Sequence, residues 1–446
     1  MRTVETSESE MPRDIAQRMP KESFGTWVAA GLSFLIFCAA MSVIAAAPRK
    51  ALLVSVDFPG GSAEVLGVDS KVRRVHVQPA LHWEQGWPCW WYLRVDGLTP
   101  GENFSLRVNE NLAPYRQRDV LSRSWSQPAC AAVSADNVTW QQTNECWREK
   151  DGSVVYEIEA PGEQVWLAWG PPFLLSHAED LLTRVASHCD ETERFTLAKT
   201  RGDRQVPGIR IGGSTVEKPA KYGVWVQARQ HAWEAGSSWV AQGFLEWVCS
   251  DEPAAVELRQ LATIYFVPIM DVDRVTIGAG GKESVPRDHN RDWDNAPYYP
   301  AVAAAQRRLA EMYLAKQLDV FLDLHNPGAN ERQPYFFGPY RYDELAPLSK
   351  RNYQRWLDVS TESISGPLSL QPEYFITSYV KDDEELNRMS SNWVRNHTGP
   401  EMLAATLETA WNTPHSTQEG YQTVGRQLGE ALGKYLQEDP RRALKP

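Results

Sequence analysis

Three side chains with nitrogen and oxygen donors stand where they could share a metal ion. His231 and Glu234 lie three residues apart in QHAWE, directly after the apolar run YGVWVQA, and His325 closes the run LDVFLDLH. In a turn or the first loop of a helix, side chains at i and i+3 can point to one side. In domains where strands and helices alternate, ligands gather at the carboxyl ends of the strands. The two segments can therefore bring His, Glu and His to one point. That is the donor set of a catalytic zinc, which takes three protein ligands and leaves a fourth position open for water. Zinc lowers the pKa of such a water, and a nearby carboxylate can accept its proton as it attacks a polarised carbonyl. Glu408, inside LAATLETAW, suits that task, because a carboxylate among apolar strand residues is costly unless paired or used.

The His-x-x-Glu spacing alone has little specificity. It recurs at His188 and Glu191 (HCDE), where the histidine follows an amphipathic helix and opens a charged stretch, and His188 is assigned to solvent. The strand-end position of His325 is what raises the first pair above the second. Most of the nine histidines are read as surface or satisfied core residues.

The elements that must hold these groups fall into two regions. From about Ala51 to Pro172 the chain runs as short alternating segments (WWYLRVDGL, NFSLRVN, SVVYEIEAPG, QVWLAWGPP) punctuated by Gly, Pro and Asn, the pattern of an all-β sandwich. Tryptophan is dense there (Trp83, Trp87, Trp90, Trp91, Trp125, Trp140, Trp147, Trp166, Trp169), either as core packing or as a sugar-binding platform. LLSHAEDLLTRVASH has helical spacing, and the polar stretch Thr196 to Pro207 reads as the domain junction. Beyond it, apolar strand runs (YGVWVQA, ATIYFVPI, LDVFLDLH, LAATLETAW) alternate with amphipathic helices, and the chain closes on YQTVGRQLGEALGKYL. The expected fold class is α/β: a catalytic domain with a mixed, mostly buried sheet flanked by helices, over residues 208–438, preceded by an all-β sandwich domain over residues 51–195.

One further segment sharpens the reading. PRDHNRDWDN, Pro286 to Asn295, follows IYFVPIMDVDRVTIGAGGKES, a strand-and-loop stretch with three glycines and one lysine. Together these residues resemble the zinc metallocarboxypeptidase family, most closely its cytosolic-carboxypeptidase-like branch. WPCWWYLRVDGL is similar to the start of that branch's N-terminal sandwich, and VWLAWGPPFLLSHAEDLLTRV to its junction with the catalytic domain. QARQHAWEAGSSWVAQGFLEWV resembles the first zinc motif, DHNRDW the substrate clamp, LDLHNPG the third ligand and TLETAW the strand bearing the catalytic glutamate. Each match alone is weak; their shared order and spacing are specific.

The resemblance implies that zinc is the cofactor, held by His231, Glu234 and His325, with Glu408 as general base and then proton donor to the leaving amine. It implies that Asn290 and Arg291 hold the free C-terminal carboxylate of a peptide substrate, a task for a planar fork of donors. It also implies an arginine shortly before the Asn-Arg pair, which stabilises the oxyanion of the tetrahedral intermediate. No arginine occupies the expected place; Lys282 is the nearest positional match and Arg287 the alternative cation. His289, between Asp288 and Asn290, is read as structural or as supporting the site from behind. Tyr374 and Tyr379 are regional candidates for the family's tyrosine on a mobile loop, and Arg388 and Arg395 for recognition of an acidic side chain, although surface arginine is the plainer reading. The expected function is a zinc-dependent carboxypeptidase. The alternatives are a related zinc amidohydrolase on N-acyl amino acids or cell-wall peptides, and a glycan-binding protein with a vestigial metal domain.

Composition narrows the remaining classes. The chain has 446 residues, 42% hydrophobic and 23% charged, and a formal charge of -11, so nucleic acid is not an expected partner. Phe24 to Ala47 is a run of 24 residues without charge or proline, about 36 Å as helix, which implies export or membrane tethering after a leader of residues 1–23. Signal peptide and retained anchor remain alternatives. Of the six cysteines, Cys38 falls in that run; Cys130 and Cys146 are a candidate disulfide across a hairpin-like stretch.

Overall fold

The computed structural model describes residues 49–213, 220–376, 380 and 382–442 of the chain. The apolar run Phe24 to Ala47 and Tyr379 lie outside the described residues. Among the described residues no helix is long and apolar enough to cross a membrane.

Ten strands come first: β1 (Leu53–Ser55), β2 (Glu64–Asp69), β3 (Arg74–Gln78), β4 (Tyr92–Asp96), β5 (Asn103–Val108), β6 (Ala132–Ser134), β7 (Gln141–Gln142), β8 (Trp147–Arg148), β9 (Val154–Glu159) and β10 (Gln164–Ala168). They form two five-stranded sheets, ordered β1-β4-β10-β6-β7 and β2-β3-β5-β9-β8. Alternation decides which residues face inward: Leu93, Val95, Val165 and Leu167 of one sheet share a core with Val75, Val77, Phe104, Leu106, Tyr156 and Ile158 of the other. Most of the tryptophans belong to that packing. Trp90, Trp91, Trp140 and Trp169 are buried, which favours the core reading over a sugar platform, while Trp83 and Trp147 are exposed.

The second region follows with α1 (Leu175–His188), β11 (Thr192–Lys199), β12 (Gln205–Ile211), β13 (Tyr222–Ala228), α2 (Ala235–Val248), α3 (Pro253–Leu261), β14 (Ala262–Val267), α4 (Val272–Ile277), α5 (Pro300–Leu314), β15 (Val320–His325), β16 (Tyr335–Phe337), α6 (Pro347–Ser363), α7 (Asp383–Asn387), α8 (Ser390–Asn396), β17 (Leu403–Glu408) and α9 (Gln418–Gln437). Its seven-stranded sheet is ordered β11-β12-β14-β13-β15-β17-β16. The four inner strands β14, β13, β15 and β17 are parallel, and the flanking pairs are antiparallel. Strands covered by helices on both faces need apolar side chains on both, which is why β13, β15 and β17 are buried at every residue.

The stretch expected as a polar connector, Thr196 to Pro207, is instead part of the β11–β12 hairpin. Its polar alternation suits an edge strand, with one face in solvent, as well as it suits a linker. The core likewise changes ahead of α1, since Phe173, Ala178, Leu181 and Leu182 pack with the seven-stranded sheet. Between the two regions the packing is continuous: Trp169 of the sandwich lies against Trp233 and Trp411, with ring centroids 5.3 and 4.2 Å away. Two glycines set how closely α2 meets α9, because a Cβ on Gly243 would sit 2.0 Å from the Gln422 carbonyl and one on Gly425 1.9 Å from that of Val240. The expected Cys130–Cys146 disulfide is not formed; both are free thiols, and Cys146 Sγ turns 3.6 Å from the Pro128 carbonyl.

Candidate metal centre and active site

The sheet brings the chemistry together at one end. From β13 the chain passes to β14 on one side and later to β15 on the other, so a crevice opens where the strand order reverses. His231 and Glu234 follow β13 by a short turn, and His325 and Glu408 end β15 and β17 as directly opposed partners in the parallel ladder. The turn is held from behind by Arg229, fully buried, whose Nε donates to the Ala232 carbonyl and Nη1 to that of Phe173. Glu234 also stands at the N-terminal boundary of α2, so the helix packed on α9 fixes the backbone of one ligand.

Candidate ligand atoms of His231, Glu234 and His325 all lie within 4.8 Å of one another, and all three residues are buried. His231 Nδ1 is 2.7 Å from Glu234 Oε1, and His325 Nδ1 is 2.7 Å from Glu234 Oε2. Burial alone would favour the neutral acid, yet the two imidazoles hold Glu234 below the usual carboxylate range. Two nitrogens and a carboxylate facing one small volume form the donor set that zinc takes, and its binding would displace any proton they carry. Glu408 is buried beside them, and its Oε2 has no hydrogen-bond partner in the structure. Burial pushes its carboxyl up, against the opposing pull of His325.

Each imidazole is backed by a second carboxylate. His231 Nε2 lies 3.4 Å from Asp288 Oδ1, and His325 Nε2 3.1 Å from Asp323 Oδ2. Such partners fix the tautomer so that Nδ1 offers its lone pair inward, and they raise ligand basicity. Asp323 Oδ2 also accepts from Gln230 Nε2 and Ser390 Oγ. Neither aspartate was expected from the sequence. Asp323 had a usable signal, since it stands two residues before His325 and strand side chains at i and i+2 share a face. Asp288 had none beyond its place in DHNR.

The remaining candidates divide. Lys282 Nζ lies 3.8 Å from Asp288 Oδ2, and its charge, with that of His325, opposes the burial that raises the Glu408 carboxyl, so it borders the centre. Arg287 is turned away and pairs with Asp292 and Asp294. Asn290 is buried; its Oδ1 accepts from the Ser390 N–H and its Nδ2 is 3.4 Å from His325 Nε2. Arg291 Nε donates to Glu385 Oε1 at 2.7 Å, and Nη1 to the Asn290 carbonyl. His289 stacks on Tyr299 at 3.8 Å in the core behind the site, where burial pushes it down to about 4. Tyr374 is partly buried and packs against the core, its hydroxyl donating to the Tyr353 carbonyl. His188 is exposed at the end of α1, as its assignment to solvent expected, while Glu191 pairs with Arg259.

Comparison with known proteins agrees with this geometry. The family described as Zinc carboxypeptidase (Peptidase_M14) matches residues 178–435. Cytosolic carboxypeptidase 2 of Danio rerio is 24% identical over 283 residues, covering 55% of this chain and 38% of that protein. Cytosolic carboxypeptidase 6 of Homo sapiens is 28% identical over 233 residues, covering 49% of this chain and 44% of its own length. This chain therefore spans less than half of each of these two relatives. Among solved structures, a metallo-carboxypeptidase from Burkholderia cenocepacia superposes with a TM-score of 0.73 at 19% identity, covering 87% of this chain and 99% of that one. A metallo-carboxypeptidase from Pseudomonas aeruginosa, in complex with (2-guanidinoethylmercapto)succinic acid, gives 0.70 at 20% identity, with 86% and 99% coverage. At such identities the likeness is one of fold, and it extends through the sandwich.

Proposed function

This chain belongs to the zinc carboxypeptidase family, and from that premise we propose that it removes the C-terminal residue of a peptide bearing a free terminal carboxylate. The observation that supports this reading most is the buried convergence of His231, Glu234 and His325 beside a Glu408 oxygen that no protein group occupies. A vestigial metal site would have no reason to keep such a costly acid.

In this reading His231, Glu234 and His325 hold zinc, with Asp288 and Asp323 orienting the two imidazoles. Bound zinc supplies Lewis acidity toward a carbonyl oxygen and toward water. Glu408 takes the proton from the attacking water and returns it to the leaving amine, a cycle that favours a carboxyl whose pKa burial has raised toward neutrality. Lys282 places its ammonium charge where the oxyanion develops. Arg291 already grips one carboxylate, that of Glu385, and a substrate terminus uses the same guanidinium chemistry. Asn290 steadies the His325 side of that subsite.

The test is metal analysis of the purified protein together with a peptide-library digest read by mass spectrometry. About one zinc per chain, with loss of single C-terminal residues that His325→Ala abolishes, is expected. A folded, zinc-free wild type would refute the reading, and cleavage of N-acyl amino acids in place of peptides would transfer it to an amidohydrolase. Export or tethering is part of the same proposal, supported by the 24 uncharged residues Phe24 to Ala47. Cell fractionation with N-terminal sequencing separates a cleaved leader from a retained anchor, and a wholly cytoplasmic protein would refute both.

A further inference from the structure

Lys282 is carried by a loop that the sandwich grips, residue against residue. The sandwich loop 84–87, between β3 and β4, runs alongside it: Trp87 N–H donates to the Lys282 carbonyl at 3.0 Å, Gly281 N–H to Gln85 at 2.9 Å, and Val285 N–H to Glu84 at 2.9 Å. The approach is so close that only glycine fits. A Cβ on Gly86 would meet Gly281 N at 2.5 Å and the Lys282 carbonyl at 2.7 Å, and one on Gly280 would meet the Trp87 carbonyl at 2.1 Å. Gly86 also sits at a φ of +100°, which side chains avoid.

A second sandwich loop holds the next residue. Tyr115 Oη donates to Glu283 Oε2 at 2.7 Å, and Arg116 Nη2 is 2.9 Å from the same oxygen. Glu283 adopts a φ of +55°, uncommon for a residue with a side chain, and its N–H donates to Asp288 Oδ2 at 3.0 Å. Asp288 in turn faces His231 and Lys282. The far end of the loop is thus tied to the metal site, and contacts from another region fix the backbone of Lys282 itself. A lysine offers one compact charge at the end of a stem of limited length, so its reach to a developing oxyanion is bounded by where its backbone is held.

We propose that the sandwich is a positioning element of the catalytic machinery: Gly86 and Tyr115 set the backbone of the Gly280–Glu283 loop so that Lys282 reaches the oxyanion. This inference rests on Lys282 being the oxyanion cation. Gly86 and Tyr115 both contact the loop, and each acts through Lys282.

The experiment compares kcat, KM and zinc content in the full chain for Gly86→Ala, Tyr115→Phe, Lys282→Ala and the doubles with Lys282→Ala. Lys282→Ala is expected to lower kcat by about 10²–10³-fold. Gly86→Ala should lower kcat by about 10–100-fold with KM and zinc content unchanged, because displacement near 1 Å costs that much in the transition state. Tyr115→Phe should fall in the same direction by less, and it decides the matter if Gly86→Ala does not fold. In the Lys282→Ala background both losses should vanish. Gly101→Ala strains a different sandwich turn, at a φ of +79° and with no heavy atom nearer than 3.9 Å, and should leave kcat unchanged. Additive losses in the doubles, wild-type kcat in Tyr115→Phe, or an equal loss in Gly101→Ala would overturn the proposal. Wild-type kcat in Lys282→Ala would instead remove the role given to Lys282.

Discussion

Asp323→Asn tests whether the carboxylate behind His325 tunes the metal site. Asp323 is fully buried, and only one of its oxygens has partners: Oδ2 receives Gln230, Ser390 and the His325 ring, while Oδ1 has no hydrogen-bond partner. An asparagine can therefore keep its carbonyl oxygen at the Oδ2 position and place its amide at that of Oδ1. The fold survives, at a cost of about 1–3 kcal/mol for a buried amide without an acceptor. What disappears is the negative charge 3.1 Å from His325 Nε2. Against burial, which favours the neutral ring, Asp323 and Glu234 together raise His325 well above the ordinary imidazole range, so the charge is felt strongly. Losing such a partner lowers metal affinity about 10–100-fold, or about 1.4–2.8 kcal/mol. Competition for zinc against a chelator of known affinity reads this directly, with circular dichroism as the check on folding. A folded Asp323→Asn protein that binds zinc as tightly as wild type would refute the argument.

Further outcomes follow from the same structure. Glu408→Gln should retain zinc and lose about 10²–10⁴-fold in kcat, measured on a peptide substrate; loss of zinc instead would make Glu408 a ligand. Asp292 is buried and held up to about 6 by that burial, against hydrogen bonds from the Tyr299 and Tyr298 N–H groups. Its folded pKa exceeds the unfolded value near 3.9, so its contribution is full below that value and is lost as pH rises through about 6, by about 3 kcal/mol. Relative to Asp292→Asn, wild type should thus lose stability between pH 4 and 7 in urea titrations, and parallel profiles would contradict this. Gly425→Ala gains about 1 kcal/mol of helix propensity but places a methyl 1.9 Å from the Val240 carbonyl, so overpacking of about 1–3 kcal/mol or more wins. A lower melting temperature is expected, and a higher one would mean that α2 and α9 separate freely.

Much of the site was legible because the signals are local. Period-two and period-3.6 patterns arise from the geometry of one strand or one helix, and a strand that ends on His325 announces its place at a sheet end. His231, Glu234, His325 and Glu408 all converge as that logic required. Arg287 and Lys282 could not be separated in this way, since both are cations near the Asn-Arg pair. Their difference lies in Asp292 and Asp294, which take Arg287 away from the centre. The stretch around Thr196 misled for a related reason, because half-exposed hairpin strands and linkers share polar composition.

The amino-acid order by itself determined the α/β character, the strands that carry the ligands and the donor set, because each depends on residues close in sequence. Tertiary structure alone decided which cation faces the centre, which aspartates back the imidazoles and that a sandwich glycine, 196 positions before Lys282, lies against its backbone. Those choices are fixed by contacts between segments whose separation leaves no trace in local periodicity, and only the packed chain brings them within a hydrogen bond of one another.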